Sequence, residues 1–239
     1  MNRSKKISES ISAENISYYN KIAAQYDELL DQDKKNSFIR NKVANTFRHF
    51  VKAGRVLDFG GGTGLDLIWL LQEPYNIVFC EPAVAMRKMA QKRMDTGYPG
   101  SAVLFLEDEM TDFRKWNEKF PFSEKIDAVL ANFAMFNCIP DIPDLFDKLA
   151  MVIKPGGMII ALILDSSLLK RFRSNLKGTV KSFFSGKPVA LVMHFNGERQ
   201  TVNLHSEKEI RKASKTAFDL IQYEQLQGFG FTLIHLVKK

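Results

Sequence analysis

The sequence predicts an α/β protein with a doubly wound, mostly parallel seven-stranded sheet whose last strand is antiparallel. Short apolar runs typical of buried strands alternate with segments of helical periodicity between residues 55 and 164, as in sheets built from right-handed crossovers. Two later strand-like runs, 218–225 and 231–237, are separated by a turn too short for a crossover, so they should pair antiparallel. The 239 residues suffice for one large domain.

The individual elements follow from local periodicity and from turn residues. Residues 1–12 are polar and are expected to be loose, whereas apolar residues recur at helical spacing over 16–30 and 37–51. In chain order, the core elements are strands over 55–59, 76–80, 102–106, 126–131 and 158–164, with helices over 65–71, 83–94 and 142–153. Ser206-Glu-Lys-Glu209 is a capping-box sequence, which predicts a helix from there to about residue 217.

These elements divide the chain into N-terminal helices (1–52), a core (53–164), an insertion (165–205) and a C-terminal part (206–239) whose helix and antiparallel strands complete the sheet. The insertion is unusual because residues 166–197 contain no Asp or Glu and six Lys or Arg. Its first half predicts a helix with one basic face, and Asn196-Gly197 between two β-rich runs predicts a hairpin.

Composition excludes several classes of protein. Two cysteines, Cys80 and Cys138, cannot form a disulfide framework, and the four histidines do not cluster, so no metal site is expected. The longest apolar run, Met158–Leu164, is far shorter than the roughly 20 residues of a membrane span. No apolar segment follows the basic N-terminus, so no signal peptide is expected and a cytoplasmic location is predicted. The net charge of +7 comes mostly from the insertion.

The most informative stretch is Val56-Leu-Asp-Phe-Gly-Gly-Gly-Thr-Gly64. An apolar strand that ends in a carboxylate and runs into G-x-G-x-G allows a tight turn and a close approach of the backbone to a ligand. A dinucleotide fingerprint would need glycine where Leu65 stands, and the Gly-Lys-Ser/Thr of a phosphate-binding P-loop is missing. The loop is therefore of a nucleotide-binding type that matches neither of these two fingerprints.

This motif resembles the first motif of the class I S-adenosylmethionine-dependent methyltransferases. The likeness extends to Glu81, an acid at the end of the second strand, which in that family accepts hydrogen bonds from both ribose hydroxyls. It continues through the following Pro82 and Met86. Asp108, with Glu109, matches the acid that accepts from the adenine amino group, and Asn132 matches the segment behind the cofactor.

Two further segments strengthen the resemblance. Lys154-Pro-Gly-Gly157 before the fifth strand is similar to a family hallmark, and residues 19–27 resemble the lead-in of ubiquinone/menaquinone-type small-molecule methyltransferases, where an aromatic residue closes over the cofactor. Tyr26 is predicted for that contact. The resemblance thus implies S-adenosylmethionine as cofactor, with these binding residues: Tyr26, Asp58, Gly60, Gly61, Gly62, Thr63, Gly64, Glu81, Pro82, Met86, Asp108, Glu109 and Asn132.

The methyl acceptor is less clearly indicated. Candidates for a base are Asp165, His194, His205 and Tyr19, none at a diagnostic spacing, so the catalytic residue is unknown. Asn132-Phe-Ala-Met135 departs from the Asp/Asn-Pro-Pro-Tyr/Phe motif of enzymes that methylate adenine or glutamine amines, and Cys138 lacks the Pro-Cys context of cytosine-C5 enzymes. A nucleic-acid partner is therefore not expected. The acceptor is predicted to be a small organic or lipid-like molecule, with an anionic one among the candidates.

Two alternatives stay open. The protein could be an RNA or protein methyltransferase anchored by the basic insertion, or a protein that binds S-adenosylmethionine without catalysis. The basic face could equally be solvated and without a partner, or it could guide an anionic acceptor or contact a membrane. A monomer or a weak dimer is expected.

Overall fold

The computed structural model describes residues 3–31, 34–165, 189–195 and 198–239. Its helices are α1 (Arg3–Asp31), α2 (Lys34–Phe50), α3 (Leu67–Leu70), α4 (Val84–Gly97), α5 (Ile142–Val152) and α6 (Glu207–Ser214), with 3₁₀ turns at Asp108–Thr111, Phe113–Lys115 and Met135–Cys138. Its strands are β1 (Gly54–Phe59), β2 (Tyr75–Cys80), β3 (Val103–Phe105), β4 (Ile126–Ala131), β5 (Ile153–Leu164), β6 (Val189–Phe195), β7 (Glu198–Leu204), β8 (Phe218–Leu226) and β9 (Phe231–Lys238).

The predicted sheet is confirmed. Seven strands lie in the order β3-β2-β1-β4-β5-β9-β8. All neighbouring strands among β1 to β5 are parallel, whereas β9 is antiparallel to both of its neighbours. Leu57 and Val56 belong to two separate buried clusters on opposite faces of the sheet. Both faces are therefore covered, which explains why the parallel strands are continuous apolar runs.

The N-terminus differs from the prediction. Residues 3–12 belong to α1 and are not loose. This part of the helix is polar, yet Ser12 and, one turn further on, the buried Asn15 face the interior of the protein. Tertiary contacts therefore stabilise a helix that the local sequence does not predict. Helix α3 is also shorter than predicted, since it begins only at Leu67.

The C-terminal part and half of the insertion agree with the prediction. Ser206 and Glu209 form a reciprocal capping box at the start of α6, which ends at Ser214. Strands β6 and β7 pair antiparallel as a hairpin, although its Asn196-Gly197 turn lies outside the described residues. The predicted basic helix over 166–188 also lies outside them, so its basic face stays a prediction. Among the helices that are described, none has the length and apolar character to cross a membrane.

Candidate active site

A cavity of about 280 Å³ lies at the carboxyl ends of β1, β2 and β4, under α1. At this edge the strand order reverses on either side of β1, where open α/β sheets usually bind ligands. Most of the predicted cofactor residues line it: Tyr26, Gly60, Gly61, Gly62, Thr63, Glu81, Pro82, Met86 and Asn132. Asp58, Gly64, Asp108 and Glu109 do not.

The glycine loop forms one side of this cavity. Gly60 and Gly62 adopt φ angles of 75° and 59°, a region that favours glycine. A Cβ at Gly60 would lie 2.4 Å from Met135 Sδ, whereas a Cβ at Gly62 would meet only the edge of the Tyr26 ring, at 3.7 Å. Packing therefore requires glycine at position 60, and the cavity itself lies against position 62.

Glu81 joins the glycine loop to the start of α4. Its Oε2 accepts a hydrogen bond from the Gly62 backbone N–H at 2.9 Å, and its Oε1 accepts one from the Ala83 N–H at 2.8 Å. Burial raises the pKa of Glu81 to about 7, against the opposing effect of these two N–H groups and of Arg87. We call residues 60–64 together with Glu81 the cofactor wall.

Asp58 lies directly behind the cofactor wall. The side chain is buried, and neither carboxyl oxygen has a hydrogen-bond partner among the described residues. Burial, and next the charge of Asp66, raise the pKa of Asp58 well above its ordinary value. Because buried polar groups are nearly always paired in proteins, this carboxyl group fits a ligand that brings a donor to it.

Asp66 is a second acidic group of the site, and single sequence motifs do not reveal it because its partners come from distant elements. Asp66 Oδ1 accepts from Trp69 Nε1 at 2.9 Å and pairs with Arg40 Nη1 at 2.6 Å, while its Oδ2 accepts from Asn132 Nδ2 at 2.9 Å. The Arg40 guanidinium also lies 4.6 Å from the centre of the Phe133 ring. Arg40, Asp66 and Asn132 all line the cavity, so it has a charged end.

The segment after β3 differs from the sequence prediction. Asp108 and Glu109 are exposed and do not line the cavity, because the chain turns at Asp108 with a φ of 46°. Asp112 lines it instead, and its two carboxylate oxygens accept from Arg114 Nε and Nη2 at 2.7 and 3.0 Å. The acid of this segment that lines the cavity is therefore four residues further along the chain.

Helix α1 and residues 135–139 form the opposite side of the cavity, and strand β7 packs behind them. Asn15 Nδ2 donates to the carbonyls of Cys138 and Thr201, at 3.1 and 2.9 Å, and its Oδ1 accepts from the Thr201 N–H at 2.9 Å. Asn137 and Asn203 donate to each other's backbone carbonyls at 2.7 and 3.1 Å. We call Asn15, Tyr19, residues 135–139 and β7 the cap wall.

The candidates for a base fare differently. Tyr19 lines the cavity, and its Oη accepts from Gln200 Nε2 at 2.7 Å, but burial raises the pKa of Tyr19 well above its ordinary value, so the hydroxyl stays protonated. Asp165 does not line the cavity, and its Oδ1 accepts from Gln225 at 3.2 Å. The side chain of His194 lies outside the described residues.

His205 has a structural position. It is fully buried, and its Nε2 lies 3.2 Å from the carbonyl oxygens of both Phe136 and Ile139, which it joins to the cap wall. Burial lowers the pKa of His205, so the ring is neutral and can donate through Nε2. Cys138 lines the cavity as a neutral thiol, since burial raises its pKa to about 11. No cluster of potential metal ligands occurs within the described ranges.

Comparisons with known proteins identify the family of the chain. The family described as "Methyltransferase domain" matches residues 19–236. The protein YqeM of Bacillus subtilis, which has a provisional methyltransferase name, is 24% identical over 145 residues, or 59% of this chain. The matched segment spans only about half (53%) of the length of YqeM.

Solved structures are similar in fold at low sequence identity. The DhpI complex with SAH has a TM-score of 0.69 at 14% identity and covers 95% of this chain and 97% of its own. The PH0226 protein of Pyrococcus horikoshii has a TM-score of 0.61 at 18% identity, covering 87% and 94%. Glycopeptide N-methyltransferase MtfA with SAM has a TM-score of 0.57 at 13% identity, covering 82% and 92%.

Proposed function

The chain belongs to the methyltransferase-domain family, and from this premise we propose that it binds S-adenosylmethionine in the cavity and transfers the methyl group to a small organic acceptor. The observation that carries the proposal is the cofactor wall, where a glycine loop that lies against open space at Gly62 meets the buried Glu81 carboxyl group. The DhpI and MtfA structures, which hold SAH or SAM, support the choice of cofactor.

The residues present fit the parts of this cofactor. Glu81 can accept from the two ribose hydroxyls with the lone pairs that its backbone donors leave free. The Arg40 guanidinium, which lines the cavity, suits the carboxylate of the methionine part. For the adenine amino group we propose Asp112 in place of Asp108, because only Asp112 lines the cavity.

S-adenosylmethionine, when bound, supplies a methyl group attached to a positively charged sulfur, and in-line attack of a nucleophile on the methyl carbon displaces that sulfur. The protein's part is to position two reactants and to exclude water. Tyr19 and Tyr26 cover the cavity from α1, and Tyr26 lies over Gly62. Tyr19 acts as a neutral hydrogen-bonding group and not as a base, since its hydroxyl stays protonated.

The shape of the cavity favours a small acceptor over a macromolecule. The cavity is covered by α1 and by residues 135–139, which buried amide groups join to the hairpin, as the pairs Asn15–Thr201 and Asn137–Asn203 show. Neither arginine of the lining is left for an acceptor, because Arg114 pairs with Asp112 and Arg40, which pairs with Asp66, is also assigned to the methionine carboxylate. The described lining thus favours a neutral acceptor, and an anionic or lipid-like one would depend on the basic segment outside it.

Two measurements test this function. Calorimetry should detect binding of S-adenosylmethionine and of its demethylated product but not of NAD, and binding of NAD alone would contradict the proposal. Incubation with labelled cofactor and a small-molecule extract, followed by mass spectrometry, should reveal a methylated product of low mass. Label that appears only in RNA or in protein would instead favour the alternative acceptors. Tight cofactor binding without any labelled product would favour a binding protein.

A further inference from the structure

Helix α1 is tied to the cofactor wall near its C-terminal end. Asp27 follows Tyr26 and accepts hydrogen bonds from the Thr63 hydroxyl and from Arg93 Nη2. Arg93, on α4, also donates from Nε to the Thr63 carbonyl at 3.0 Å. Three elements, α1, the glycine loop and α4, therefore meet in one closed ring of hydrogen bonds.

This ring holds the glycine loop at the residue that follows its bond to Glu81. The Gly62 N–H donates to Glu81, and the next residue, Thr63, bonds through its hydroxyl and its carbonyl to Asp27 and Arg93. The Tyr26 ring edge lies beside Gly62. The conformation of the loop and the position of Tyr26 are consequently set together.

The two ends of α1 are anchored by groups of different kinds. At the N-terminal half, Asn15 is 4% exposed and makes three hydrogen bonds to backbone groups of the cap wall. At the C-terminal half, Asp27 and Arg93 have about a quarter of their side chains exposed (27% and 25%). Buried amide bonds are costly to leave unpaired, whereas partly exposed ion pairs are screened by water and salt.

We propose that Asp27 and Arg93 form a latch that positions Tyr26 and Thr63 over the bound cofactor, and that α1 opens at this end while Asn15 serves as its pivot. This inference rests on the proposed function, because it takes the cavity to be the cofactor site. Asp27 and Arg93 are positioning residues, since neither lines the cavity. A cofactor that enters under Tyr26 requires the latch to open, and closure then slows its release.

The test compares Asp27→Asn with a matched control, Glu73→Gln. The control removes the charge of a similarly exposed ion pair, Arg48–Glu73 at 2.6 Å, that does not border the cavity. Stopped-flow measurement with S-adenosylhomocysteine should show release about 2- to 5-fold faster for Asp27→Asn, the size expected for a partly screened ion pair, and association no slower than in the parent, because entry also requires the latch to open. Glu73→Gln should release the ligand at the parent rate.

Two readouts separate a latch from a general structural role. Release from the parent should become faster as salt rises and approach that of Asp27→Asn, whose own release should be insensitive to salt. In the bound protein, hydrogen exchange of backbone amides 24–31 should be faster in Asp27→Asn than in the parent, whereas exchange over 12–18 should not change.

The outcomes are distinguishable. Equal release rates and equal exchange in the parent and in Asp27→Asn would overturn the latch while leaving the cofactor site intact. A variant that only melts at a lower temperature, with unchanged release, would make Asp27 merely structural and would also overturn it. If the parent itself binds no cofactor in calorimetry, the proposed function fails and not the latch alone.

Discussion

The cofactor wall and the cap wall face each other across one cavity, but different parts of the chain hold them together. The cofactor wall depends on backbone conformation at a strand-to-helix turn, with Gly62 N–H bonded to Glu81. The cap wall depends on side-chain amides such as Asn15 and Asn137 that bond to the backbone of β7. The cofactor wall requires glycine at fixed positions because it depends on backbone conformation, whereas the cap wall requires only that distant residues come into contact.

The largest effect is expected at Gly64, where the turn packs on α4. A Cβ there would lie 2.9 Å from Ala90 Cβ at a φ of +78°. Gly100 has a similar φ of +82° but nothing within 4 Å, so Gly100→Ala reports backbone strain alone. Urea unfolding should show Gly64→Ala destabilised by about 2 to 5 kcal/mol and Gly100→Ala by about 1 to 2 kcal/mol. Equal losses of unfolding free energy in the two variants would show that the contact with Ala90 adds nothing to the backbone strain at Gly64.

The next effect is expected in the cap wall at Asn137. Its buried side chain donates to the Asn203 carbonyl and accepts from the partly buried Leu164 N–H. Asn137→Ala should lower the free energy of unfolding by about 2 to 4 kcal/mol, because one buried and one partly buried backbone group lose their partner. Asn36→Ala, which removes one bond to the Leu30 carbonyl at a less buried position, is the control. A smaller loss for Asn137→Ala than for the control would contradict this account of the cap wall.

Glu81 should then control the affinity for the cofactor. Replacement by Gln removes the charge but keeps the shape, and calorimetry at pH 8 should show binding weakened about 10- to 150-fold. Because the pKa of Glu81 is raised to about 7 and ribose hydroxyls need an acceptor, the parent's affinity should fall by up to about tenfold per pH unit below that value. Glu81→Gln should lose this pH dependence.

The same group should affect the stability of the free protein in the opposite direction. The folded state holds the Glu81 proton more tightly than the unfolded chain, because its pKa is raised from 4.5 to about 7. The contribution of Glu81 to stability therefore falls as pH rises between these two values, while cofactor affinity rises. Melting of Glu81→Gln and the parent from pH 4.5 to 8 checks this, and parallel curves would exclude a raised pKa.

The smallest effect is expected for the acids after β3. Asp112→Asn should weaken cofactor binding about 3- to 10-fold, since this partly exposed carboxylate already pairs with Arg114. Asp108→Asn should leave the affinity unchanged, because the side chain is exposed and outside the cavity lining. The reverse result, a loss of affinity in Asp108→Asn alone, would assign cofactor binding to Asp108, as the family resemblance implies.

Much of the cofactor wall could be predicted because its determinants are local. The apolar run before Gly60, the glycines and Glu81 are each close in sequence to the turn that they form, and a parallel sheet brings the ends of β1 and β2 together. Asp112 was missed because the turn at Asp108 depends on a positive φ that an aspartate only occasionally adopts. Arg40 and Asp66 were missed because residues so far from Asn132 carry no common motif.

By itself the sequence determined the doubly wound, mostly parallel type of sheet, the glycine loop and the acid beside it, because strand periodicity and glycine conformations are properties of short segments. Only the tertiary structure decided that α1 extends back to Arg3, that Asn15 and Asn137 join the hairpin to the cavity, and that Asp27 reaches Thr63 and Arg93. The physical reason is the distance in sequence between the interacting residues. A buried amide or ion pair gains its free energy from partners brought together by packing, and those partners leave no pattern in the neighbouring sequence.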